Sequence, residues 1–303
     1  MLAYWYFVPQ SESKQDYGSI KLHKKNPYNE DHFSEFGYVD LPIGRTHFYF
    51  LGPENGKKLV IFEDFLNHLA SKGFRILTFD LYGRGYSSTP KGVYNQDFYV
   101  NQMLNLCQKL KFEKFNLIGL SLGGGISATF SSKFPEMIER CVLVAPAGLM
   151  KNLPLTTNFF TFPIIGEIIL NAIGKAVMAS MMEKELKNSD EDNCRFDSKR
   201  AAQIINHQLY NHPGFPYALH STLKNYEFSN LQSNFIKASN NLESNLLAIW
   251  GDRDKIVPFH YSTNKYKLSC PRSNLKVYEG LSHDILLEKP LLLADDISEF
   301  LNK

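Results

Sequence analysis

The stretch Phe115-Asn116-Leu117-Ile118-Gly119-Leu120-Ser121-Leu122-Gly123-Gly124-Gly125 decides the fold. Its opening residues read as a buried strand, and residues 121–133 continue as a helix. Between them sits a serine with Gly119 two places before it and Gly123 two places after. Such small residues let the backbone turn sharply from strand to helix, which lifts the Ser121 hydroxyl above the sheet edge. A plain Gly-rich turn and a phosphate-binding loop are the alternatives. No Lys-Ser/Thr pair follows the glycines, so the phosphate-loop pattern is not met.

Working outward, strands are expected at residues 37–41, 46–51, 58–62, 75–80, 115–119, 141–145, 246–250 and 275–278. Helices are expected at 63–72, 98–110, 121–133 and 291–301. Strand and helix alternate with short links, the pattern of an α/β fold with a mostly parallel sheet covered on both faces. The rhythm stops at Ala145-Pro146-Ala147-Gly148 and resumes at Leu246. In between, Ile165, Ile168, Ile169, Ala172, Ile173, Ala176 and Val177 recur at helical spacing. Glu167 and Lys175 interrupt them, which favours an amphipathic or buried helix over a membrane span. The expected organisation is an N-terminal extension over 1–35, an α/β core over 36–148 and 244–303, and a mainly helical insertion over 149–243.

Composition narrows the function classes. Of the 303 residues 44% are apolar, enough for a packed core. Lys+Arg number 33 against Asp+Glu 31, a balance that gives no electrostatic footing for nucleic acid. Cys107, Cys141, Cys194 and Cys270 lie far apart with no CxxC, so neither a disulfide framework nor a zinc knuckle is indicated. The apolar start, Leu2 to Val8, is too short to cross a bilayer and lacks the basic segment of a signal peptide. A reducing, cytoplasmic setting is expected. Trp5 and the tyrosines beside it suit either a shallow peripheral membrane contact or packing onto the core.

A serine hydroxyl attacks well only when a base takes its proton and a carboxylate orients that base. Both residue types follow strands here. The strand 246–250 runs into Gly251-Asp252-Arg253-Asp254-Lys255-Ile256-Val257-Pro258, and the strand 275–278 into Glu279-Gly280-Leu281-Ser282-His283. The carboxyl ends of strands are where an open α/β sheet keeps its ligand site. Asp252 and Asp254 compete as the acid, and His260 is a rival to His283. His207, His212 and His220 have no carboxylate or thiolate among them at ligand spacing, so no metal is expected. Gly83-x-Gly85-x-x-Ser88 is a broken dinucleotide fingerprint that does not open directly into a helix, so no cofactor is expected either.

The chain resembles the α/β-hydrolase superfamily, and in particular its cap-bearing esterases and monoacylglycerol lipases. Five segments carry the resemblance: Asp80-Leu81-Tyr82-Gly83-Arg84-Gly85-Tyr86-Ser87, the Gly119–Gly124 elbow, Val144-Ala145-Pro146-Ala147-Gly148-Leu149, the Gly251–Pro258 loop and Gly280-Leu281-Ser282-His283. The resemblance implies Ser121 as nucleophile, Asp254 as the acid and His283 as general base. It makes 149–243 a cap, gives Asp80 a bracing role in its loop, and makes the Leu122 backbone N–H one oxyanion donor. The family's second donor lies in a His-Gly-type loop after the third strand, and this chain has no such loop. Leu59-Val60-Ile61-Phe62 runs straight into Glu63-Asp64-Phe65-Leu66, roughly a dozen residues short of the usual connection. Two readings follow: a shortened form of an active enzyme, or a divergent member with a degraded third strand and weak activity. The second donor is therefore unassigned.

A serine at the elbow, where relatives acting on epoxides or haloalkanes carry Asp, leaves esters, thioesters, amides and C–C bonds as targets. The acyltransferase pattern His-x-x-x-x-Asp is absent, with Glu288 at that offset from His283. Phe159, Phe160, Phe162, Met178, Met181 and Met182 suit a small-molecule, lipid-like ester, or simply pack the cap onto the core. Hydrolysis of a hydrophobic carboxylic ester is the favoured reading. A C–C hydrolase of the meta-cleavage type and a non-catalytic binding protein are the alternatives.

Overall fold

The computed structural model describes residues 35–61, 66–151, 212 and 214–303. Eight strands form one sheet: β1 (Glu35–Leu41), β2 (Gly44–Leu51), β3 (Lys57–Ile61), β4 (Phe74–Phe79), β5 (Phe115–Leu120), β6 (Ile138–Val144), β7 (Leu246–Gly251) and β8 (Asn274–Tyr278). Their spatial order is β1-β2-β4-β3-β5-β6-β7-β8. The β1–β2 and β2–β4 pairs are antiparallel, and every pair from β3 onward is parallel. The described helices are α1 (Leu66–Ser71), α2 (Gln96–Lys109), α3 (Leu122–Lys133), α4 (Phe215–Asn225), α5 (Gln232–Leu242), α6 (Phe259–Ser269), α7 (Ile285–Glu288) and α8 (Pro290–Leu301).

Alternation along the strands sorts the core into two layers, because successive side chains leave a strand on opposite faces. Val60, Leu77, Leu117, Cys141 and Leu143 join a layer with α2, α3 and α5. Leu59, Ile61, Ile76, Ile118 and Val142 join the other, with α1 and α8. Burial on both faces is why the central strands read as unbroken apolar runs rather than as alternating ones.

Three expectations gain detail. First, β3 is not degraded. Its Leu59–Ile61 pair with Asn116–Ile118 of β5, while Lys57–Val60 pair with Phe74–Leu77 of β4. Second, the described part of the helix expected over 63–72 is α1, six residues long, and residues 63–65 lie outside the described residues. The whole link from β3 to β4 is residues 62–73, close to the lower limit of about 10–12 for a parallel crossover.

Third, α5 falls inside the expected insertion over 149–243 yet packs on α3 and along β6 and β7. The amide of Gly148 donates to the Phe228 carbonyl at 2.9 Å, and Leu231 donates back to Gly148 at 3.0 Å. Residues 228–242 therefore belong to the layer against the sheet. The apolar repeat from Ile165 to Val177, the phenylalanines and methionines between 159 and 182, Cys194, His207 and Trp5 lie outside the described residues. No helix among the described residues is long and apolar enough to cross a membrane.

Because β3 is buried between two parallel neighbours, Ile61→Ala should cost about 2–5 kcal/mol of unfolding free energy. Urea denaturation checks this. A loss under about 0.5 kcal/mol, the scale of a surface change, would mean that β3 is peripheral after all.

Candidate active site

The turn after β5 is as tight as its glycines imply. Ser121 has φ 50 and ψ −115, a left-handed conformation that few non-glycine residues adopt. Its amide donates to the Val144 carbonyl at 2.9 Å, and its carbonyl accepts from Ala147 at 2.8 Å. The strained residue is thus held from β6 as well as from its own strand. A Cβ on Gly119 would stand 2.2 Å from the Gly123 carbonyl oxygen and 2.3 Å from Ser127 Oγ, so no larger residue fits under the elbow. Leu122 opens α3, and the first amides of a helix have no intrahelical acceptor. Its N–H stands at the positive end of the helix dipole, beside the serine.

Two more strand ends bring the partners in. His283 Nε2 lies 3.1 Å from Ser121 Oγ, and its Nδ1 lies 2.6 Å from Asp254 Oδ2. The other Asp254 oxygen accepts the amides of Ile256 at 2.9 Å and Val257 at 2.8 Å. Ser121, Asp254 and His283 are all buried. With Asp254 as an acceptor on both oxygens, Nδ1 carries the imidazole proton and Nε2 keeps its lone pair for the serine hydroxyl. The loops after β7 and β8 approach so closely that a Cβ on Gly251 would stand 2.3 Å from the Leu281 oxygen and 2.4 Å from that of Ser282.

The rival residues have other work. Asp252 accepts the Gly280 amide at 2.7 Å and so ties the two loops together. His260 lies on the exposed side of α6, against Phe259. His220 is buried in α4. His212 faces the Ser87 carbonyl at 3.4 Å, and burial pushes its pKa down. No cluster of three or more His, Cys, Asp and Glu residues suited to a metal occurs among the described residues.

Asp80 is fully buried, and desolvation raises its pKa. It pairs with His47 Nδ1 at 3.1 Å and accepts the Tyr86 amide at 3.2 Å. His47 was not foreseen from the sequence. It lies in a cage of Tyr38, Tyr49 and Tyr86, with ring centroids 4.7, 4.4 and 4.9 Å away. The pair has no free serine beside it, since Ser87 Oγ donates to the Asp80 carbonyl and accepts the His47 amide. Asp80 and His47 thus tie β2 to the loop that carries Tyr86 and Ser87.

An α/β-hydrolase-fold family profile matches residues 52–290, and the chain belongs to that family. It is 22% identical over 280 residues to an uncharacterized carboxylesterase of Bacillus subtilis, covering 88% of this chain and 86% of that one. Over 87 residues it is 34% identical to a 2-hydroxymuconate semialdehyde hydrolase of a Pseudomonas species, covering 28% of this chain and 30% of the other. Among solved structures, a membrane phospholipase A described as a bacterial virulence factor superposes with a TM-score of 0.70 at 18% identity, covering 88% of this chain and 86% of that one.

Cysteine is no substitute nucleophile among the described residues. Burial pushes the thiols of Cys141 and Cys270 up to about 12, and that of Cys107 upward as well. Because the thiolate is the reactive form, a raised pKa leaves little of it at neutral pH. Of the four thiols, at most that of Cys194 should react with Ellman's reagent at pH 8 before denaturant is added. Rapid reaction of two or more would contradict the burial.

Proposed function

We propose that the protein is a serine hydrolase cleaving a hydrophobic or lipid-like carboxylic ester, with Ser121 as nucleophile, His283 as general base and Asp254 as the group that orients it. The carrying observation is the unbroken chain from Ser121 Oγ to His283 Nε2 at 3.1 Å and from His283 Nδ1 to Asp254 at 2.6 Å. As Ser121 Oγ attacks the ester carbonyl, its proton passes to Nε2, and the Asp254 carboxylate stabilises the imidazolium that forms. Negative charge develops on the carbonyl oxygen, toward the Leu122 amide. The imidazolium then protonates the departing alcohol, leaving an acyl group on Ser121. A water molecule activated by the same imidazole releases the acid.

The relative named as a carboxylesterase supports the ester assignment, since the match runs along most of both chains. The apolar residues of the insertion, Phe159, Phe160, Phe162, Met178, Met181 and Met182, support an acyl chain as the bound group. C–C bond hydrolysis is the second reading, favoured by the local 34% identity to the 2-hydroxymuconate semialdehyde hydrolase.

Turnover of p-nitrophenyl esters of graded chain length tests the proposal. Ser121→Ala and Asp254→Asn should each lower kcat by about 10⁴-fold or more. Asp252→Asn should leave it of the same order. Faster cleavage of 2-hydroxymuconate semialdehyde than of any ester would favour the second reading. Absence of turnover together with no Ser121-dependent fluorophosphonate labelling would make the chain a binding protein.

The short link after β3 predicts a slow enzyme, since one missing oxyanion donor costs about 10²–10³ in kcat. Inserting a His-Gly-type loop between Ile61 and Leu66 should recover part of that factor. An unchanged kcat would show that the link already supplies a donor.

A further inference from the structure

His283 is held at both ends of its loop, and only one end is fixed by the loop that carries Asp254. On the N-terminal side, Arg253 donates its amide to the Leu281 carbonyl at 2.9 Å, and Asp252 takes the Gly280 amide at 2.7 Å. On the C-terminal side the tie is Glu288, the last residue of α7. The Ser282 amide donates to both Glu288 oxygens, at 3.2 and 3.3 Å, and the Ser282 hydroxyl donates to Oε1. Ser282 Oγ in turn accepts the Asp284 amide at 3.1 Å. Both neighbours of His283 are therefore anchored, directly or through one hydroxyl, to a single carboxylate.

We infer that Glu288 is a positioning residue for His283: its carboxylate fixes Ser282, and through it the backbone that sets the imidazole between Ser121 and Asp254. The inference rests on the hydrolase reading for its kinetic consequences, while the geometry it predicts does not. A carboxylate suits this place because hydrogen bonds to an ionised acceptor are shorter and stronger than those to a neutral one. Oε1 takes both the N–H and the O–H of Ser282, and Oε2 shares the N–H. The Glu288 amide closes the same loop, donating to the Asp284 carbonyl at 2.9 Å. Displacing a reacting group by about 1 Å costs on the order of 10²-fold in rate, so a tie at this place is worth keeping even though it touches no substrate.

The test uses the full chain and the variants Glu288→Ala, Glu288→Gln and Ser282→Ala, each checked for folding by circular dichroism. Two quantities are read: kcat and KM on p-nitrophenyl butyrate, and the low-field proton resonance of the His283 Nδ1–H that bridges to Asp254. Folded Glu288→Ala should lose about 10²-fold in kcat with KM nearly unchanged, and its low-field resonance should broaden or shift. Glu288→Gln, which keeps one acceptor, should restore much of both. If Glu288→Ala does not fold, Ser282→Ala should show a smaller loss of the same kind. Wild-type kcat and an unchanged resonance in the folded variants would overturn the inference. If the wild type turns over no ester but its resonance is lost in Glu288→Ala and restored in Glu288→Gln, the positioning role stands and the hydrolase reading fails.

Discussion

An ionised carboxylate withdrawn from water costs several kcal/mol unless its oxygens are met by donors, and Asp254 is 4% exposed. Its donors are the Ile256 and Val257 amides and His283 Nδ1. The first two come from its own loop, whereas the third must arrive from beyond β8. Much of the architecture follows from that need. Strands β7 and β8 run parallel and adjacent, so their carboxyl ends open side by side. Gly251 lets the two loops touch, and Asp252 stitches them. The strained serine just after β5 completes the row from the same edge of the sheet.

The parts of this arrangement legible in the sequence are those imposed by local backbone sterics. The turn at Ser121 demands glycine at 119, and that demand is visible without any fold in mind. The choice between Asp252 and Asp254 is different in kind. Both follow the same strand, both are chemically able, and only their hydrogen-bond partners separate them; family resemblance, not residue chemistry, favoured Asp254. His47 was invisible for a related reason. It meets Asp80 only because β2 pairs with β4, 33 residues along the chain, and nothing near Thr46 or Phe48 announces that pairing.

The expected insertion over 149–243 includes α5, and periodicity reports that a helix has an apolar face without saying what that face meets. Phe235, Ala238 and Leu242 would suit a cap as well as a core. The return of the chain to the sheet is instead signalled by the exchange of hydrogen bonds between Gly148 and residues 228 and 231, which no sequence pattern reveals. Glu288 was in view as the wrong residue for an acyltransferase motif. Its partner Ser282 stands six residues earlier, across a loop and one turn of helix, so the contact emerges only in three dimensions.

The brief crossover between β3 and β4 carries a consequence for how the sheet assembles. Strand β3 is wedged between β4 and β5, and of these β4 is nearer in the chain. Bringing β3 and β4 together closes a loop of residues 62–73, and a loop twice as long would cost about 0.6 kcal/mol more in chain entropy. The pairing is therefore favoured early, before the distant β5 arrives to complete the wedge. The shortness of the β3–β4 connection thus hastens the formation of the sheet from whose fifth strand the Ser121 turn emerges.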